Sequence, residues 1–318
     1  MRNTERVCNL VNNELNHQVE RFWQQEEVQT KRLEHRYSAQ EQEVEEFLQT
    51  VKRGADGKYI VHLPKDDTII LGDSEITAIK RFLAIEKRLS QQPQLNDEFH
   101  QFLKKYKELR HMSLVTSSDY NTTKEVFYLP HHPVIKNDSV TTRLRVVFDG
   151  SSKSSTGAAL NQKLLSGPNL QQDLWSIMLR FRLHQHVITA DIKMMFRQIW
   201  VTETDRDLQR IVWRQDPTEA IQTYALNTIT YGTTSAPYLA MRCLQHLATQ
   251  PEAITRPAAA EALMQDFYMD DVITGSHTIE QAVKLRKELS ELLGAAGFEL
   301  RKWRASDKRI LAKLSPRK

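Results

Sequence analysis

Three aspartates offer the most specific chemistry in this sequence. Asp270 and Asp271 stand side by side in Asp266-Phe-Tyr-Met-Asp-Asp-Val-Ile273, a charged pair in a largely apolar stretch. Adjacent carboxylates repel, and ionising both is costly unless a cation compensates. Asp191 closes a separate apolar run, Val187-Ile-Thr-Ala-Asp191. Hard divalent cations such as Mg²⁺ prefer oxygen ligands, and they often take few protein carboxylates plus substrate phosphates. Two such ions about 4 Å apart can clamp the attacking and leaving oxygens of a phosphoryl transfer. The residues by themselves leave a plainer reading open. Asp-Asp is also a common polar turn, and spacing alone does not bring the three acids together.

The elements that must position these acids come next. Residues 186–191 read as a buried strand, and residues 267–274 as strand–turn–strand with Asp270-Asp271 at the tip. Residues 125–129, 144–148, 210–214 and 223–230 read as further strands. Helix faces are expected at Leu170, Leu174, Ile177, Met178 and Phe181, and from Pro237 through Leu247. Thr278-Ile-Glu-Gln281 is a capping box for a helix that Gly294 or Gly297 can end. This second part, residues 111–318, is expected to be an α+β domain with an antiparallel sheet covered by helices.

Residues 1–110 have a different texture, mostly helical. Leu15, Val19, Phe22 and Trp23 recur at helical spacing, and Ser38 with Glu41 forms a capping box ahead of Val44, Phe47, Leu48 and Val51. Asp56-Gly57 marks a turn before a short strand at 58–63. Ser74 and Asn96 are the expected caps of two further helices, the second burying Phe99, Phe102, Leu103 and Tyr106. None of these faces carries a catalytic constellation.

Composition removes several function classes. The chain has 318 residues, a net charge of +4 and 40% hydrophobic residues. Its mean hydropathy is −0.54. No apolar run approaches the roughly 18 residues of a membrane helix, and the first twenty residues lack the apolar core of a secretion signal. Two cysteines, Cys8 and Cys243, are too few for a disulfide scaffold or a cysteine-rich zinc module. His131-His132 and the pair His184 and His186 have no cysteine partners for such a site and read as loop and strand residues. The positive charge is concentrated at one end. Residues 301–318 carry Arg301, Lys302, Arg304, Lys308, Arg309, Lys313, Arg317 and Lys318 against Asp307 alone.

The ordered blocks Asp191-Ile-Lys-Met-Met-Phe196, Tyr231-Gly-Thr-Thr-Ser-Ala-Pro237 and Tyr268-Met-Asp-Asp271 resemble motifs A, B and C of reverse transcriptases. Tyr128-Leu-Pro-His-His-Pro-Val-Ile-Lys136, Leu144-Arg-Val-Val-Phe-Asp-Gly150 and Gly297-Phe-Glu-Leu-Arg-Lys-Trp303 narrow the resemblance to the Pol polyproteins of BEL/Pao-type LTR retrotransposons. Residues 1–110 resemble the segment between protease and polymerase in those polyproteins. The implied fold is a reverse-transcriptase fingers and palm after a mostly helical N-terminal extension. With only 15 residues after Trp303, the expectation is a chain that largely lacks the thumb and lacks RNase H, protease and integrase.

The resemblance also implies roles. Asp191 and Asp270 would be the principal ligands of two Mg²⁺ or Mn²⁺ ions, with Asp271 in the same site and the Ile192 carbonyl completing one shell. Phe196 matches the steric gate that excludes a 2′-hydroxyl, although as a bare residue it equally suits a core aromatic. Arg145 matches the fingers arginine of the triphosphate site, with Lys136 as its partner. A guanidinium binds phosphate in bidentate fashion and an ammonium binds as a point charge; without the resemblance both are ordinary strand-edge bases. Tyr231, Gly232, Tyr268 and Met269 would line the nucleotide site, and Lys302 would donate a proton to pyrophosphate. Tyr231 stands where retroviral enzymes have Gln, and Met194 where a basic residue is common. The implied activity is RNA-directed DNA synthesis on an RNA or DNA template with a primer and dNTPs, in cytoplasmic particles and without a membrane. Two alternatives remain: an RNA-dependent RNA polymerase, which Phe196 opposes, and a non-catalytic fragment that only binds nucleic acid or protein.

Overall fold

The computed structural model describes residues 51–116, 125–135 and 143–312, together with Ser38, Glu41, Gln42, Val44 and Glu45. The helix faces expected from Leu15 to Trp23 and at Phe47 and Leu48, and the site residue Lys136, lie outside the described residues. Apart from Ser38, the described residues belong to one compact unit, Gln40–Lys318.

The strand expected at 58–63 forms as β2 (Tyr59–Val61), but β1 (Lys52–Arg53) is unexpected: Val51, expected on a helix face, is non-helical and the chain pairs with β2 right after it. Gly57 turns the chain at φ +79°, and the Lys58 amide donates to the Asp56 carboxylate at 3.1 Å. Helix α1 (Glu75–Leu89) starts after Ser74 as expected, but the Ser74 hydroxyl accepts from the Tyr128 amide instead of capping the helix. Helix α2 (Pro93–Glu108) begins three residues before the expected cap, Asn96. Proline lacks an N–H and has a fixed φ, so it fits the first helical turn without loss. Phe99, Leu103 and Tyr106 are buried, as their spacing predicts.

Strand β3 (Met112–Leu114) leads to β4 (His131–Ile135) and β5 (Leu144–Phe148), an antiparallel hairpin. The strand expected at 125–129 does not form. Only Tyr128 makes an isolated bridge, to Arg210. His131, expected in a loop, is instead buried in β4 between the rings of Phe82 and Phe99. Burial pushes its imidazole down to about 4, so the ring packs as a neutral aromatic.

After the short helix α3 (Leu160–Lys163), helix α4 (Leu174–Leu183) is capped by Asp173, whose carboxylate accepts from the Ser176 amide. Then come β6 (His186–Ile192), a one-turn 3-10 helix (Met195–Gln198), β7 (Trp200–Val201), β8 (Arg210–Trp213) and β9 (Gln222–Leu226). His184 caps α4 instead of joining a strand, and β9 ends at Leu226, short of the expected Thr230. Helices α5 (Ala236–Ala248), α6 (Pro251–Ile254) and α7 (Pro257–Gln265) precede β10 (Phe267–Tyr268) and β11 (Asp271–Ser276). Helix α8 (Ile279–Ala295) is capped by Thr278, and β12 (Leu300–Ala305) closes the sheet.

The fold is α+β. Its central sheet is antiparallel in the order β10-β11-β6-β12, with α4 packed on β10 and β11 and α8 packed on β6, β11 and β12. Smaller sheets run β3-β9-β8 and β1-β2-β7, and β4 pairs with β5. β2 lies parallel to β7, so the segment before residue 110 shares a sheet with the chain just after Asp191. No helix among the described residues is long and apolar enough to cross a membrane.

Candidate active site

Strand β6 alternates. Ile188, Ala190 and Ile192 are buried, which turns Asp191 to the other face. The register then sets its neighbours. Asp271 on β11 pairs with Asp191 from one side, and Arg301 on β12 pairs with it from the other. Asp191 and the distant pair Asp270-Asp271 thus gather at one end of the sheet. Asp270 occupies the β10–β11 turn, and its carbonyl accepts from the Ile192 amide at 2.7 Å. The hairpin is gripped by Gln171, whose side chain accepts from the Met269 amide and donates to the Phe267 carbonyl, both at 2.8 Å. Sequence reasoning did not find Gln171, and no local pattern marks it.

The site is under electrostatic tension. Burial, Asp270 and Asp191 together push the Asp271 carboxyl above the ordinary aspartate value, while Lys302 opposes them. Asp191 Oδ2 accepts from Arg301 Nε at 3.2 Å and Lys302 Nζ at 3.3 Å, but its Oδ1 is buried without a hydrogen-bond partner. Arg301 is a second residue that sequence reasoning overlooked, although its neighbour Lys302 was singled out. Backbone strain collects here as well. Met194, Met269 and Lys302 have φ values of +52°, +54° and +53°. Such left-handed positions cost about 1 kcal/mol or more each in non-glycine residues and tend to cluster at functional sites.

The donor set fits a hard divalent cation. It offers carboxylate oxygens, one of them buried and unsatisfied, and a mutual repulsion that positive charge would relieve. Asp191, Asp270 and Asp271 are the carboxylates that would draw together around such an ion, and Ile192 follows Asp191 on the same strand. Among the described residues, no three His, Cys, Asp or Glu side chains stand close enough together to hold a metal ion as they are placed. Arg301 and Lys302 supply the compensating charge in this arrangement.

The remaining predicted residues divide into two groups. Tyr231, Gly232 and Arg145 are linked to one another through β5. The Tyr231 hydroxyl donates to the Val146 carbonyl at 2.5 Å, and its ring lies 5.6 Å from that of Phe148. Gly232 has φ +97°, and a Cβ there would strike the Phe148 carbonyl. Glycine is therefore required by close backbone approach. The Gly232 carbonyl accepts from Asn161 at 3.0 Å. Arg145 is exposed on β5 and has no ion-pair partner among the described residues. Phe196, Tyr268 and Met269 stay near the acids along the chain. Phe196 is half-buried against the core, and Tyr268 is exposed beside the Asp270 turn.

Residues 135–304, more than half of the chain, match the family model described as reverse transcriptase (RNA-dependent DNA polymerase). No curated protein sequence matches the chain. Among solved structures, it is similar to the protease-reverse transcriptase of Prototype Foamy Virus at 16% identity and a TM-score of 0.49, covering 65% of this chain and 23% of that one. A foamy viral protease-reverse transcriptase in complex with dsDNA matches at 16% identity and a TM-score of 0.47, covering 64% of this chain and 36% of that one. The chain therefore spans well under two thirds of the length of these matches.

Proposed function

This chain belongs to the reverse transcriptase family, and from that premise we propose that it is the fingers and palm of an RNA-directed DNA polymerase of a BEL/Pao-type LTR retrotransposon. The observation that carries the reading is the pairing of Asp191 with Asp271 across β6 and β11, which leaves one buried Asp191 oxygen unsatisfied. In this reading Asp191, Asp270, Asp271 and the Ile192 carbonyl hold two Mg²⁺ or Mn²⁺ ions. Bound there, the ions would lower the pKa of the primer 3′-hydroxyl and neutralise the triphosphate.

The chain's own residues do the rest by position and charge. Arg145, with Lys136, holds the triphosphate. Phe196 lies under the sugar and selects dNTPs, and Tyr231, Gly232, Tyr268 and Met269 shape the base and sugar pocket. Lys302, bonded to Asp191 Oδ2 in the free chain, is freed for the departing pyrophosphate when other positive charge reaches Asp191. Template and primer are gripped through backbone and shape, and base pairing chooses the nucleotide. The setting is a Pol polyprotein within cytoplasmic virus-like particles.

The test is extension of oligo(dT) on poly(rA) with dTTP and Mg²⁺ or Mn²⁺. Template-dependent extension that Asp270→Ala abolishes supports the reading. Extension retained in Asp270→Ala sinks the metal-ligand assignment, and preference for rUTP identifies an RNA polymerase. Template binding without any extension identifies a binding module.

A further inference from the structure

Arg197 is buried to 8% exposure, and no carboxylate pairs with it among the described residues. A buried cation without a counter-ion is costly, and an apolar residue of similar volume would often serve stability as well or better. Its surroundings are specific. Arg197 Nε donates to His111 Nδ1 at 2.7 Å, and its guanidinium lies 4.0 Å from the Tyr106 ring centroid and 5.9 Å from that of Phe102. Burial and Arg197 itself hold the His111 imidazole down near 3, so the ring accepts this bond as a neutral partner. Among the described residues, the buried Arg197 Nη2 has no hydrogen-bond partner.

The contacts continue toward the nucleotide residues. Tyr106 packs on Phe148 with ring centroids 5.9 Å apart, and Phe148 packs in turn on Tyr231 at 5.6 Å. Tyr231 in turn donates to Val146, the neighbour of Arg145 on β5. Arg197 itself follows Phe196 directly. Tyr106, Phe102 and His111 all precede residue 135, where the family match begins.

We propose that Arg197 is a positioning residue for the nucleotide pocket. Its guanidinium clamps Tyr106 of α2, and Tyr106 sets the place of Tyr231 and of the β5 strand that carries Arg145. The helical segment before the matched region thereby supplies one wall of the pocket's support. The inference rests on the polymerase reading, because that reading places Tyr231 and Arg145 at the nucleotide.

The experiment uses the full chain and the variants Arg197→Met, Arg197→Lys and Tyr106→Phe. Steady-state extension is combined with ¹⁹F NMR of 3-fluorotyrosine-labelled protein, the Tyr231 signal being assigned through Tyr231→Phe. Loss of a desolvated cation–π contact predicts that Arg197→Met raises the dNTP KM about tenfold, with kcat and template–primer affinity held within about twofold. Arg197→Lys should recover part of the loss. Tyr106→Phe should add less than about twofold on the Arg197→Met background, because the two act through one path. All three variants should move the Tyr231 resonance. An unchanged KM with an unchanged Tyr231 signal overturns the inference, as does a fall in kcat that only tracks lost folded protein. If Arg197→Met does not fold, Arg197→Lys and Tyr106→Phe decide by the same two readouts. If the parent chain extends no primer, the polymerase reading fails separately. The Tyr231 signal then decides the coupling: movement upholds it and no movement overturns it.

Discussion

Asp205, buried, and Asp191, partly buried, are carboxylates of the same compact unit with opposite surroundings. Asp205 is 2% exposed and satisfied on both oxygens. Oδ2 accepts from the Leu63 amide and the Thr202 hydroxyl at 3.0 Å and lies 3.1 Å from His62 Nδ1, while Oδ1 accepts from Lys65 at 3.0 Å. Burial pushes its carboxyl up, but Lys65, the Leu63 amide and Thr202 together outweigh burial and hold it below the ordinary value. Asp191 faces another acid across the sheet, has two basic side chains on one oxygen and nothing on the other. The first carboxylate ties residues 62–65 to the turn after β7. The second keeps coordination capacity in reserve. In this fold, an unsatisfied oxygen and an uncompensated neighbour separate chemistry from glue.

Four measurements would break or sharpen that contrast. The largest effect is expected for Asp270→Ala, which should lower primer extension by about 10³-fold, equivalent to about 4 kcal/mol, with little change in the melting temperature. Loss of folding instead would make the acid cluster structural, like Asp205. Next, Asp205→Ala should destabilise the fold by about 3 kcal/mol in urea unfolding, because Lys65 and the Leu63 amide lose their partner. A change below about 0.5 kcal/mol would show that Asp205 ties nothing together.

Smaller in size is the response to metal. Mg²⁺ at ten times its dissociation constant should stabilise the parent by about 1.4 kcal/mol, and Asp270→Ala should erase that gain. An equal gain in both proteins would place the ion elsewhere. The smallest effect separates the two sites by the sign of their pH dependence. The lowered pKa of Asp205 contributes stability that is present above the ordinary value of 3.8 and lost as pH falls through the folded value. The raised pKa of Asp271 works the other way: its contribution is present below 3.8 and lost as pH rises through the folded value. Asp271→Asn should therefore stabilise the metal-free chain at pH 7, by less than about 1 kcal/mol because solvent screens this exposed group. Destabilisation at that pH would mean that the Asp271 charge is already compensated.

The parts of the site that were legible in the sequence are those written locally. The apolar run Val187-Ile-Thr-Ala190 before Asp191 announces β6, and the apolar flanks of Asp270-Asp271 announce the hairpin. Thr278 caps α8 because its side chain and Gln281 lie within one turn of chain. Local signals failed where a distant partner competed. The Ser74 hydroxyl accepts from the Tyr128 amide, Pro93 displaces Asn96 as the helix start, and residues 125–129 leave only one bridge. Gln171 and Arg197 carried no pattern at all, because their partners come from segments that no short window includes.

The sequence by itself determined which acids are present, in what order, and that one ends an apolar strand while the other two sit at the tip of a hairpin. That much follows from residue type and from the apolar runs beside the acids. The tertiary structure alone decided that Asp191 faces Asp271, that Arg301 and Lys302 leave one of its oxygens bare, and that Tyr106 and Tyr231 pack on the same Phe148. Strand register and packing between distant segments set those facts, and a shift of one residue in register would have turned Asp191 into the core.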